Sequence, residues 1–110
     1  MRLHAAVIVL LAGALVLAGC FEKQRLTGKW QTDDAALAVE FLKNGDVLWT
    51  QPLGTITGTW EVVENERVKV SFTGIAGLMG PQYCGYAFEE KALVLSGDCI
   101  LAEHYNRAKS

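Results

Sequence analysis

Three cysteines, Cys20, Cys84 and Cys99, are the residues of this 110-residue chain best suited to covalent chemistry. A thiol can take up a lipid, a metal, an oxidant or a second thiol. None of the three forms a Cys-x-x-Cys pair, so a catalytic dithiol is not indicated. Beyond residue 20 the chain has a single histidine, His104, which excludes a multi-histidine metal site. Its neighbour Glu103 points to the opposite face if the segment is a strand. Ser71 and Ser96 have no accompanying motif for a base or an oxyanion hole. His104 therefore reads as a surface or half-buried structural side chain rather than a general base. Glu89-Glu90-Lys91 reads as a hairpin tip and Asp33-Asp34 as turn residues, where paired acids are solvated. No phosphate loop, metal cluster or nucleophile elbow is present. These residues point to no catalytic group, no cofactor and no metal, and the chain is expected not to be an enzyme.

The first cysteine closes a leader. Met1-Arg2-Leu3-His4 is a short basic start, and Ala5 to Leu17 is an apolar run broken only by Gly13. That run is shorter than the ~20 residues that span a bilayer comfortably. Basic start, apolar middle and small-residue end are the parts of a secretory signal peptide. Leu17-Ala18-Gly19-Cys20 resembles the lipobox of bacterial lipoproteins. The resemblance implies a diacylglyceryl group on the Cys20 sulfur, cleavage after residue 19 and acylation of the new amino terminus. Each buried methylene contributes about 0.8 kcal/mol, so two or three acyl chains (palmitate-like) hold a small protein on a membrane. Phe21, rather than Asp, follows the cysteine. By the Gram-negative sorting rule of that family this implies the periplasmic side of the outer membrane. Phe21 to Arg25 is then a short tether that reaches at most about 18 Å when extended. The expected organisation is signal peptide 1–19, lipidated tether 20–25 and one domain over 26–110.

With Cys20 lipidated, Cys84 and Cys99 are left as two thiols in an exported protein, and a disulfide between them is expected. Consecutive strands over 83–89, 92–96 and 99–107 would separate the cysteines by a third strand, about 9–10 Å. That is beyond disulfide reach. The bond thus requires one cysteine to lie past the end of the middle strand, which a turn at Ser96-Gly97-Asp98 allows.

Composition excludes other classes. Residues 1–19 hold 15 hydrophobic residues and no acid, while residues 20–110 hold 41 in 91, an ordinary fraction for a folded domain. The second part carries 9 basic and 12 acidic residues, a net charge near −3. With no Lys/Arg cluster to meet phosphates, nucleic acid is not an expected partner.

The elements that must position these residues read as strands. No window beyond residue 20 keeps helical periodicity over three turns. Leu37, Val39 and Phe41 alternate with Ala38, Glu40 and Leu42; Val68, Val70 and Phe72 alternate with Lys69 and Ser71. Eight strands are expected near 25–31, 36–43, 46–51, 55–63, 66–73, 83–89, 92–96 and 99–107. Asn44-Gly45 marks a hairpin. A two-residue turn would set Phe41 opposite Leu48. A three-residue loop with Gly45 left-handed sets Phe41 opposite Val47 and Val39 opposite Trp49, which gathers the apolar side chains on one face. The same logic around Glu64-Asn65-Glu66 sets Val62 opposite Val68 and Trp60 opposite Val70. Thr27-Gly28-Lys29-Trp30 recurs as Thr57-Gly58-Thr59-Trp60, each followed by an apolar triad. The fold class is all-β: a small antiparallel meander closing into a roughly eight-stranded barrel. Closure removes exposed edges, and side chains alone can fill a barrel of that size.

Two resemblances carry this further. Gly28-Lys29-Trp30 on the first strand resembles the Gly-x-Trp start of lipocalin-like, or calycin-type, barrels. There the Trp closes one barrel end under an Arg from the last strand, a role that falls here to Trp30 and Arg107. The chain is also similar to small bacterial lipoproteins carrying a half-length lipocalin-like domain of unknown function. Their pattern of Gly-x-Trp, Phe-containing strand, Asn/Asp-Gly turn and second Gly-x-Trp spans residues 26–73, and Tyr83 to Ser96 resembles another such hairpin.

Thr73 to Pro81 is apolar, glycine-rich and uncharged. Its Ile75, Leu78 and Met79 either plug an end of the barrel or project toward a partner, and the scarcity of exposed apolar loops favours the plug. The expected function is that of a membrane-anchored periplasmic lipoprotein acting as a non-enzymatic binding or accessory module, touching the membrane through its lipid and meeting a protein partner. One alternative is a binder of a small apolar ligand in an interior pocket lined by Trp30, Trp49, Trp60 or Phe72. Another is a protein inhibitor like the small barrel lipoproteins that block lysozyme. Against the last, Ser96-Gly97 continues into Asp98-Cys99-Ile100 without the Tyr of their inhibitory loop.

Overall fold

Alternation along the chain becomes inside and outside of a closed sheet. In this computed structural model, which describes residues 22–108, eight strands follow one another. They are β1 (Gly28–Gln31), β2 (Ala38–Phe41), β3 (Asp46–Gln51), β4 (Gly54–Val63), β5 (Arg67–Phe72), β6 (Gln82–Glu89), β7 (Ala92–Ser96) and β8 (Glu103–Arg107). Each pairs antiparallel with the next, and β8 pairs with β1, so the barrel is closed. The signal peptide, the lipobox and Cys20 lie outside the described residues.

The two hairpin registers expected from the apolar pattern are the ones formed. Phe41 faces Val47 and Val39 faces Trp49, around a loop in which Gly45 has φ 99°. Val62 faces Val68 and Trp60 faces Val70, with Asn65 and Glu66 both left-handed at the tip. These registers point Val39, Phe41, Val47, Trp49, Trp60, Val68, Val70 and Phe72 into one core. Each fully buried side chain of this kind contributes roughly 1.5–3 kcal/mol relative to exposure. Phe41 packs at a tilt against Trp60 at 4.9 Å between ring centroids, and Trp49 likewise against Phe72 at 5.8 Å.

The repeated Gly-x-Trp pieces use glycine for different reasons. Gly28 has φ 129°, and a Cβ there would collide with the Arg107 guanidinium. Gly58 faces the interior where β4 and β5 approach closely, and a Cβ there would lie 2.9 Å from the Phe72 Cα. In the first case glycine admits a side chain; in the second it admits a backbone.

The structure departs from expectation at three places. β1 starts at Gly28 rather than residue 25, because residues 22–26 form a helical turn. Thr27 ends that turn, its N–H and hydroxyl both donating to the Lys23 carbonyl. β8 starts at Glu103 rather than residue 99, because residues 97–101 turn across the barrel mouth to bury Leu101. The favoured plug is also overturned. Gly74–Met79 is a 3-10 helix with no buried residue, and it leaves Ile75 and Leu78 87% and 86% exposed. Leu26 and Leu101 close the ends instead, both fully buried. Their carbonyls cap the interior aromatics: Trp30 Nε1 donates to the Leu26 oxygen at 2.9 Å, and Tyr105 Oη to the Leu101 oxygen at 2.8 Å. A leucine four residues before each ring both fills the mouth and satisfies the polar atom beneath it.

Strand direction sorts the connections into two ends. The helical turn shares one end with loops 42–45, 64–66 and 90–91. Loops 32–37, 52–53, 73–81 and 97–102 form the far end. No helix among the described residues is long and apolar enough to cross a membrane.

Candidate functional site

Cys84 and Cys99 form a disulfide, with Cα atoms 5.6 Å apart. The geometry escapes the third-strand problem as the turn at residue 97 allowed. β7 ends at Ser96, opposite Gly85, so Cys84 lies one residue beyond the middle strand. Cys99 sits in the 97–101 turn, not on a strand. Cys84 is fully buried and faces Val68, so this bond staples the far-end turn to the core.

At the helix end, the Arg107 guanidinium lies 4.0 Å from the Trp30 ring centroid. The same guanidinium donates to the carbonyls of Thr27 (2.7 Å) and Arg25 (3.1 Å). One side chain of the last strand thus covers the first strand and ties down the chain that leads into it. Arg25 repeats the stacking on Phe88 at 4.0 Å, a contact with no forewarning in the sequence pattern. The turn is further held by the Tyr86 hydroxyl, which donates to Glu22 at 3.1 Å. Burial, then the Glu22 carboxylate, pushes the Tyr86 hydroxyl up to about 12.

Inside the barrel, Trp30, Trp49, Trp60 and Phe72 are all packed in the core. The Trp60 Nε1 donates to the Leu42 carbonyl at 2.9 Å. Trp49 differs: its indole N–H is buried without a partner among the described residues.

His104 is exposed and lies across from Val94 on β7. It shares a shallow surface depression with Asp33, Asp34 and Glu103. The Asp34 carboxyl accepts from the Thr32 hydroxyl (2.7 Å) and the Ala36 N–H (3.0 Å), which hold it below its ordinary pKa. Asp33 accepts from the Asn106 side chain. These acids do turn-building work. Ser96 is exposed opposite Gly85, and Ser71 lies opposite Thr59, so the strands do not bring either serine against His104. No group of three or more His, Cys, Asp or Glu able to hold a metal occurs among the described residues.

The far end carries the feature that fits recognition. Ile75, Leu78 and Met79 project from the 3-10 helix, and Leu53 is 93% exposed at the adjacent hairpin tip. Tyr83 and Ile100 are also partly exposed there, each at 42%. Met79, Tyr83, Ile100 and Asp98 line an open groove of 640 Å³. Gln82 bridges its two loops: its side-chain oxygen accepts from the Ile100 N–H at 2.6 Å, and its amide contacts the Met79 sulfur at 3.8 Å. The sequence singled out Ile75, Leu78 and Met79 but missed Leu53, Tyr83 and Ile100. An apolar residue between Pro52 and Gly54 was the available signal for Leu53. The signal for the joining of the two loops was the expected Cys84–Cys99 bond, which brings residues 97–101 beside Gln82 and Tyr83. Comparison with protein-family models, curated proteins and solved structures finds no match for the chain.

Proposed function

We propose that the protein is a lipid-anchored bacterial envelope protein, acylated on Cys20, whose barrel is a non-enzymatic binding module. The lipobox-like Leu17-Ala18-Gly19-Cys20 and the lipocalin-like Gly28-Lys29-Trp30 with Arg107 support the anchor and the barrel type. The observation that carries the binding role is the collection of large exposed apolar side chains at the far end, away from the helical turn that follows the anchor. Six such side chains exposed together are unusual for a small domain. An anchor on the outer membrane, two residues before that turn, would leave this end facing the periplasm.

The test places a photocrosslinking residue at Leu78 or, separately, at Lys43 on the helix end of the intact protein in its own cells, with Cys20→Ala as the anchor control. Adducts from position 78 and none from 43 are expected, reduced when Cys20→Ala releases the protein from the membrane. Absence of adducts from position 78 overturns the reading.

The interior-ligand alternative has one observation in its favour, the unpaired Trp49 N–H. Tryptophan emission that shifts on adding fatty acids, haem or lipids would support it. The dense packing of Phe41, Trp60 and Phe72 around the same core opposes it.

A further inference from the structure

The far end is apolar, and its loops carry charge of one sign; the cations nearest its apolar side chains are on β5, where Lys69 lies opposite Tyr83 and the Arg67 guanidinium sits 5.3 Å from the Tyr83 ring centroid. Its four loops contain Asp33, Asp34 and Asp98 but no lysine or arginine, and Glu103 stands where β8 leaves that rim. The loop cations of the described residues lie at the other end: Lys23 and Arg25 on the helical turn, Lys43 and Lys91 at hairpin tips. Around the far rim the acidic and the apolar loops are segregated. Residues 32–37 are acidic, Leu53 and residues 75–79 are apolar, and residues 98–100 place Asp98 beside Ile100 in the groove with Met79.

On the reading that this end is a docking surface, we infer that its partner is a protein face with an apolar recess bordered by lysine or arginine. Isoleucine and leucine side chains flanked on one side by carboxylates fit a recess with a positive border, and opposite-sign borders fix the partner and its approach. Two other occupants fit poorly. Proteins that lie on anionic bilayers flank their apolar side chains with Lys and Arg, which attract headgroup phosphates. This rim has the opposite sign. A second copy docking by the same end would bring two rims whose loops carry only negative charge together, and like charges across an interface disfavour that pairing.

The test uses the full-length anchored protein in its own cells with the photocrosslinking residue at position 78. Asp98→Lys/Glu103→Lys is compared with Glu64→Lys/Glu66→Lys, an equal charge change at the helix end. Circular dichroism and urea midpoints of the purified full-length variants confirm that both fold. The expected result is an adduct to one protein, through a peptide containing lysine or arginine. Its yield should fall at least about tenfold in the far-end reversal and remain unchanged in the helix-end reversal. Adducts to phospholipid or to a second copy of the chain overturn the inference. A protein adduct that is indifferent to the far-end reversal also overturns it, while leaving the binding-module reading intact. No adduct from position 78 overturns both.

Discussion

Three tryptophans at equivalent inward positions have different polar fates, and this separates their roles. Trp30 and Trp60 have carbonyl acceptors, while Trp49 has none. Replacement by Phe removes similar volume at Trp30 and Trp49. At Trp30 it also orphans the buried Leu26 carbonyl; at Trp49 it removes an unpaired donor. Trp30→Phe is therefore expected to cost more than Trp49→Phe by on the order of 1 kcal/mol in urea unfolding. Equal costs would show that the Trp49 N–H finds an acceptor in solution. The buried tyrosines give a pH dependence. Burial raises both Tyr86, to about 12, and Tyr105 above the ordinary value of 10.0. The unfolded chain loses these protons first, so the contribution is complete below pH 10 and declines as pH rises toward 12. Urea midpoints should drop between pH 10 and 12, and the drop should be smaller in Tyr86→Phe. An undiminished drop in that variant would remove Tyr86 from the account.

Among the elements, hairpins were the most legible, because the registers that gather Val39, Phe41, Val47 and Trp49 on one face are also the ones their turns permit. The start of the far-end turn at Ser96-Gly97-Asp98 was legible, but its extent through residue 101 was not. Residues 99–102 alternate well enough to pass for the start of β8, yet Leu101 is needed over the mouth and Cys99 is needed beside Cys84. The disulfide closes a separation of 15 residues, for which chain entropy gives about 3 kcal/mol. Cys84→Ala/Cys99→Ala should lose about that amount in urea unfolding. A loss below ~1 kcal/mol would mean that Leu101 and the Tyr105 hydroxyl hold the turn without the covalent link.

For the molecule as a whole, closure depends on its thinnest seam. β1 and β8 share two residue pairs, whereas β3 with β4 and β4 with β5 share six each. Arg107 reinforces that seam through Trp30 and two carbonyls. Backbone amides of β1 and β8 should exchange with solvent at least about tenfold faster than those of β4, through local opening. Uniform protection would mean that the barrel opens only in global unfolding. The sequence by itself determined the eight strands, much of the inward set and the two hairpin registers, because period-two alternation and turn chemistry are local properties; the contact of Trp30 with Arg107 was implied only by the lipocalin-like resemblance. Tertiary structure alone decided which leucines close the mouths, why the first Gly-x-Trp needs its glycine, and that Ile75 and Leu78 face outward. It also gathered Leu53, Met79, Tyr83, Ile100 and the acidic loops at one end. Those outcomes depend on how strands of unequal length stagger around a closed sheet, and no single segment contains that stagger.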